Sequence, residues 1–204
     1  MARKLIMLAL ALGLGVAVTG VAGARWFNVI RGTRGDDVIA GTAHRDFILA
    51  FAGNDQVSAG EGRDIVYAGK GNDSVDGGPG LDRIFGGPGD DSLSAGNGVA
   101  YIRGGAGNDT LTAGDNRGSR LRGGDGNDTV TGGAARDFLW GGRGVDVLNG
   151  GAGNDVLHAL ARDGQVDTLD CGPGDRDVAW LRAGESDTTV NCEILKTVSI
   201  GSDD

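Results

Sequence analysis

Aspartate returns along this chain at a fixed interval. Asp37, Asp55, Asp73, Asp91, Asp109, Asp128 and Asp146 form one series, and Asp46, Asp64, Asp82, Asp137 and Asp155 fall midway between its members, nine residues on. Repeated carboxylates can do two kinds of chemistry: a pair can share acid and base roles, and a file can hold hard cations. Acid–base work needs two carboxylates in unlike settings, whereas these all occupy one position of one pattern. Each follows a glycine-rich turn, as in Gly104-Gly105-Ala106-Gly107-Asn108-Asp109-Thr110-Leu111-Thr112. Glycine tolerates the positive φ such a turn demands, and the turn exposes carbonyl oxygens. Calcium takes about six to eight hard oxygens from carboxylates and carbonyls in flexible geometry.

The elements that must position these residues follow from the same period. Counting from Gly32 to His158, the unit is nine residues long except for a ten-residue unit, Ala113 to Arg122. Position eight reads Ile39, Ile48, Val57, Val66, Val75, Ile84, Leu93, Ile102, Leu111, Leu121, Val130, Leu139, Leu148 and Leu157, aliphatic without exception. A short strand centred there turns that side chain inward and its two neighbours outward. Two units complete a coil, so successive strands fall in opposite sheets and the chain is predicted to be a one-dimensional solenoid. One buried aliphatic per nine ordered residues is too little to offset their conformational entropy. Cation binding must therefore contribute to folding, as it does where no site exists in the unfolded chain.

The pattern G-G-x-G-x-D-x-U-x, with U aliphatic, resembles the RTX, or haemolysin-type, calcium-binding repeats over residues 32–158. That resemblance implies an all-β, right-handed parallel β-roll with several Ca2+ ions, each shared by Asp carboxylates and turn carbonyls of stacked repeats. It does not imply toxicity, since neither a long pore-forming hydrophobic region nor a protease domain accompanies the repeats. The twelve aspartates named above are the expected metal ligands.

Sorting the units by parity separates two edges. On the odd edge the seven aspartates run without a gap, each two residues after a glycine. On the even edge the file is broken: Ala100 and the stretch Arg117-Gly118-Ser119-Arg120 supply no Asp, and His44 and Ala135 replace the turn glycine. Position five is Asp36, Asn54, Asn72, Asp90, Asn108 and Asn127 on the odd edge, against Arg45, Arg63, Leu81, Val99 and Arg136 on the even one. Asn and Asp suit left-handed backbone, so the odd turns are expected to be the tighter. The reading is a nearly full calcium file on the odd edge and fewer ions on the even edge, where arginine offsets some Asp charge; the alternative is that the arginines point into solvent and even sites fill wherever Asp is present.

Composition bounds where such a chain works. Residues 1–24 carry Arg3 and Lys4, then an apolar run ending in Ala22-Gly23-Ala24, the form of a secretory signal peptide. The run is near the lower length limit for a membrane anchor, the alternative. Losing it would shift the formal charge from −9 to −11, which disfavours nucleic acid and anionic membranes. Export also places Cys171 and Cys192 where they can pair, the alternative being a free pair. Closing about 22 residues would contribute roughly 3 kcal/mol. Beyond the leader the divisions are an N-terminal cap at 25–31, the roll at 32–158, degenerate repeats with a disulfide-bonded cap at 159–197, and a tail at 198–204. Asp167 extends the odd file in this reading, and Val190 to Leu195 is expected to fold back as a terminal strand.

Outward positions differ by parity too. Odd strands carry short hydroxyls, such as Ser92/Ser94, Thr110/Thr112 and Thr129/Thr131. Even strands carry aromatics and arginine, and a protein, glycan or cell-surface partner would find anchors in Tyr67, Phe85, Tyr101, Arg103 and Trp140. Self-association or the plain β-propensity of aromatic residues would explain them equally. With His44 and His158 far apart in the lattice, no Ser-His-Asp or Cys-His set can form. The expected protein is a secreted, non-catalytic calcium-binding module of structural or adhesion type. Two other readings compete: an ice-binding solenoid on the hydroxyl face, or a hydrolase using a carboxylate pair on the roll.

Overall fold

The inward aliphatic and its outward neighbours organise twenty short strands in a computed structural model that describes residues 4–6, 27–115 and 117–199. Strands of successive units alternate between two ten-stranded sheets. All pairings are parallel and mostly 18 residues apart, Val57 beside Val75 and Ile84 beside Ile102. Two units thus make one coil of a β-solenoid, and no helix is present among the described residues. The ten-residue unit is absorbed in its turn, because register resumes with Leu111 beside Val130.

A single file of aliphatic side chains fills the space between the sheets. All fourteen position-eight residues are at most 3% exposed. Position one also faces inward, and Ala50, Ala59, Ala68 and Ala95 there are fully buried. Only a small residue fits, since the Asp of the same unit turns inward beside it, and at Gly104 even a methyl group would lie 2.2 Å from Asp109 Oδ2.

The sheets differ in a way the nine-residue count does not show. From Ser74–Asp76 to Val147–Asn149, odd strands are three residues long. Even strands reach eight, as in Leu81–Pro88 and Val99–Ala106, because the ladder continues into the following odd turn and pairs Gly87 with Gly105. Gly87 has φ 129°, and a Cβ there would sit 1.9 Å from the Gly69 carbonyl oxygen. Phe51 occupies the equivalent place in an earlier coil at φ 79°.

The ends extend the same plan. Lys4–Ile6 pairs in register with Asp37–Ile39, and the rest of the expected leader lies outside the described residues. Asn28–Arg31, within the expected cap, is the first even strand beside Asp46–Ala52. After the insertion at 160–166 the coil resumes through Thr168–Asp170, Val178–Arg182, Thr188–Val190 and Ile194–Val198. Val190 to Leu195 therefore does not fold back. It is the turn between two further parallel rungs, held by a disulfide between Cys171 and Cys192 with Cα atoms 5.1 Å apart. Of the tail, residues 200–204 lie outside the described residues. No helix among the described residues is long and apolar enough to cross a membrane.

Candidate metal centre

Every ladder Asp is buried, none of the twelve more than 2% exposed. Each lies one residue before its strand's outward position seven, so its side chain turns inward on the same face as position eight. From the second coil on, its Oδ1 accepts the backbone N–H of the residue stacked one coil earlier, an Asp everywhere but before Asp137. On the odd edge this chain of bonds runs from Asp37 to Asp55, Asp73, Asp91, Asp109, Asp128 and Asp146, then to Asp167 and Asp187, at 2.8–3.0 Å throughout. The main-chain carbonyl is engaged as well, Asp73 O accepting from Ser92 N–H at 2.8 Å.

The even edge carries a second, interrupted ladder. Asp46 and Asp64 donate to Asp64 and Asp82. Ala100 has no acceptor to offer Asp82, and the file restarts when the Ala100 N–H donates to Ser119 Oγ and the Ser119 N–H to Asp137 Oδ1. It continues through Asp155 and Asp177 to Glu193 Oε2. Ser119, Asp177, Asp187 and Glu193 were not among the expected site residues. The signal was present for Asp177, which begins Asp-Val-Ala-Trp, but a spacing of 22 and an alanine at the aliphatic position hid it.

The second oxygen of each carboxylate distinguishes the edges further. Asp37, Asp46 and Asp137 turn Oδ2 onto their own turn, accepting from Thr33, Thr42 and Gly133 N–H. Oδ2 of Asp55, Asp73, Asp91, Asp109, Asp128 and Asp146 is buried with no hydrogen-bond partner, an unbroken row on the odd edge. On the even edge the same is true only of Asp64, Asp82, Asp155 and Asp177. Buried oxygens without partners are rare and costly.

These oxygens face carbonyls. A methyl built on Gly86 would meet Asp91 Oδ2 at 2.1 Å and the Gly104 carbonyl oxygen of the next coil at 2.8 Å. On Gly150 it would meet Asp155 Oδ2 at 2.8 Å and the Cys171 carbonyl at 2.4 Å. The small residue at position one thus leaves a cradle of hard oxygens. Among the described residues no three Asp, Glu, His or Cys side chains converge on one point. A cation here would depend on one or two carboxylates completed by carbonyls, which suits calcium and not zinc.

Burial raises the carboxyl pKa from Asp55 to Asp167 on the odd file and from Asp64 to Asp177 on the even one. Desolvation is the main cause, partly opposed by the backbone N–H donor, and neighbouring carboxylates push further the same way. Asp64, Asp73 and Asp109 rise to about 6, and Asp82, Asp91, Asp128, Asp155 and Asp167 to about 7.

Against known families, the RTX calcium-binding nonapeptide repeat matches residues 27–57, 49–84, 67–101, 76–111, 94–117 and 122–157, well over half of the chain. The chain belongs to the RTX calcium-binding nonapeptide repeat family. Its RTX repeats form the β-solenoid described above, and repeats of this family bind calcium. No curated protein shows significant similarity to the chain.

Position five of the RTX unit calls for a correction. Asn54, Asn72, Asn108 and Asn127 are not left-handed; among the described residues the non-glycine positions with positive φ are Phe51 and Asn191. Their side chains instead form a second ladder outside the Asp file, each Oδ1 accepting the position-five N–H of the next coil, as from Asn72 N–H to Asn54 Oδ1 at 2.8 Å. The even-edge arginines form no ion pair with ladder aspartates, but they offset some of their charge: burial raises the carboxyl pKa of Asp64 and Asp155, and the charges of Arg45 and Arg136 oppose that rise in small part. The ion pairs among the described residues are Arg143–Asp125 and Arg182–Glu185. Arg45 and Arg136 lie over the Phe27 and Phe138 rings.

The expected contact residues share the outer face of the even sheet. Phe47, Tyr67, Phe85 and Tyr101 form one run of neighbouring rings, with Tyr67 and Phe85 stacked at 4.8 Å. Phe138, Trp140, His158 and Trp180 form another, closed by Lys196 over Trp180. Arg103 and Arg122 interrupt the two runs side by side.

Proposed function

We propose that this chain is an exported calcium-binding β-roll whose folding is coupled to calcium, acting as a non-catalytic structural or adhesion module. The row of buried, unpartnered Oδ2 atoms from Asp55 to Asp146 carries the reading, because calcium supplies the partner each one lacks. Asp37, Asp55, Asp73, Asp91, Asp109, Asp128 and Asp146 would hold the odd file. Fewer ions would lie on the even edge, held by Asp46, Asp64, Asp82, Asp137 and Asp155, since Ala100 and Ser119 break that file and both Asp46 and Asp137 satisfy Oδ2 within their own turns, as on the odd edge only the terminal Asp37 does. Bound, the ions neutralise stacked carboxylates and tie each turn to the next.

The charged and apolar character of residues 1–24 supports export. The aromatic and arginine face, with Tyr67, Phe85, Tyr101, Arg103 and Trp140, is the surface offered to a protein, glycan or cell-surface partner. Every ladder carboxylate is buried, which supports a role in holding the fold and not in hydrolysis. Native mass spectrometry in calcium tests the asymmetry. Ion numbers matching the odd file with a minority from the even edge are expected; an ion for every stacked Asp pair would overturn it, and no bound calcium would overturn the whole reading.

A further inference from the structure

Along the middle of the even sheet's outer face runs a trough. Its largest section, about 480 Å³, is lined by Arg103, Arg122, Trp140, Arg143, His158 and Arg162 among others. A hollow of about 140 Å³ joins it through Arg122 and Trp140, and one of about 440 Å³ continues through Tyr101 and Arg120. Trp140 and His158 are parallel within 5° and 4.9 Å apart, stacked face to face, which leaves the face of Trp140 on the Arg122 side to border the smaller hollow.

The charge in this trough runs against that of the chain, whose formal net charge is −9. Arg103 and Arg122 are in-register partners on adjacent strands, which places them roughly 4.8 Å apart along the sheet. Like charges set directly beside one another destabilise a sheet, and neither has an acidic partner among the described residues. Arg143 shares its charge with Asp125 at 3.8 Å, both well exposed. A polyanion laid across the strands would relieve that repulsion, with guanidinium forks taking its acid groups two oxygens at a time. The face of Trp140 turned away from His158, beside them, offers apolar stacking to a ring.

We infer that the trough binds an acidic polysaccharide, its carboxylate or sulfate groups on Arg103, Arg122 and Arg120 and a sugar ring against Trp140. Nucleic acid fits less well. Its phosphates are spaced at about 1.7 Å along the duplex axis, a density that a net-negative chain repels beyond the trough. The inference rests on the reading of this face as the contact surface and deepens it to a ligand class.

Isothermal titration of the calcium-loaded chain with dextran sulfate and a short oligogalacturonate tests it, with unmodified dextran and oligothymidylate as further probes. Binding of an acidic glycan that weakens with salt is expected, the tighter of the two naming the acid group. Arg103→Gln combined with Arg122→Gln should weaken it by roughly tenfold or more, with the calcium-induced circular dichroism unchanged. Equal binding of plain dextran, tighter binding of oligothymidylate, or unchanged affinity in the double variant would overturn the inference. A chain that stays unfolded in calcium overturns the calcium reading instead, while a folded chain that ignores both acidic glycans overturns this one alone.

Discussion

Asp109→Asn should change sign with calcium. Asp109 is fully buried, its Oδ1 accepts the Asp91 N–H at 2.9 Å, and its Oδ2 has no partner. An asparagine carbonyl can keep the first bond, and its amide replaces a buried charge by a donor facing turn carbonyls. Burial lifts this carboxyl from 3.8 to about 6, so keeping it ionised in the metal-free fold at pH 7.5 costs about 3 kcal/mol. Without calcium the variant should therefore be the more stable by up to that amount. With calcium it should be the less stable, because a charged ligand is lost from the middle of the odd file. Urea titrations followed by circular dichroism, in excess calcium and in chelator with sulfate added to strengthen burial, measure both. A variant that is no more stable in chelator refutes the desolvation argument, and one unaffected in calcium refutes the assignment of Asp109 as a ligand.

Other consequences follow from the same two ladders. Ala100→Asp supplies the missing acceptor for Asp82 N–H in a turn that already has Gly96 and Gly98; one further ion by native mass spectrometry is expected, with lower stability in chelator. Acidification should act in opposite directions on the two states. Because the folded carboxyls titrate near 6 to 7, above their ordinary value, the metal-free fold is favoured below about pH 4 and loses that advantage as pH rises through 6 to 7. In chelator, β-structure should thus grow from pH 8 to pH 5, while the calcium needed for half-saturation should rise, both readable by circular dichroism. Cys171→Ser with Cys192→Ser should lower stability in calcium by roughly 3 kcal/mol, with hydrogen exchange faster in Thr188–Val190 and Ile194–Val198 than in the central coils.

Much of this fold is legible in the residues because a solenoid turns sequence period directly into position. One aliphatic every nine residues specifies inward position eight, and parity separates the sheets, so Val57 beside Val75 needs no long-range information. The parts that stay hidden depend on contacts between coils. The use of Oδ1 as an acceptor for the preceding coil's N–H explains why Ser119 can stand in for Asp, which composition cannot show. Asn72 looks like a turn former until its amide oxygen is seen bound to Asp90 N–H. The lengthened even strands arise from glycine pairing across coils, Gly87 with Gly105. Asp177 and Asp187 were obscured where insertions of a few residues break the count, although the stacking itself continues.

The coupling of calcium to folding is tested most directly by circular dichroism during a calcium titration from a fully chelated start at pH 7.5. A largely unordered chain that gains β-structure cooperatively as calcium is added, and loses it again in chelator, is the expected result. A chain already rich in β-structure before any calcium is present, and unchanged when it is added, would contradict it.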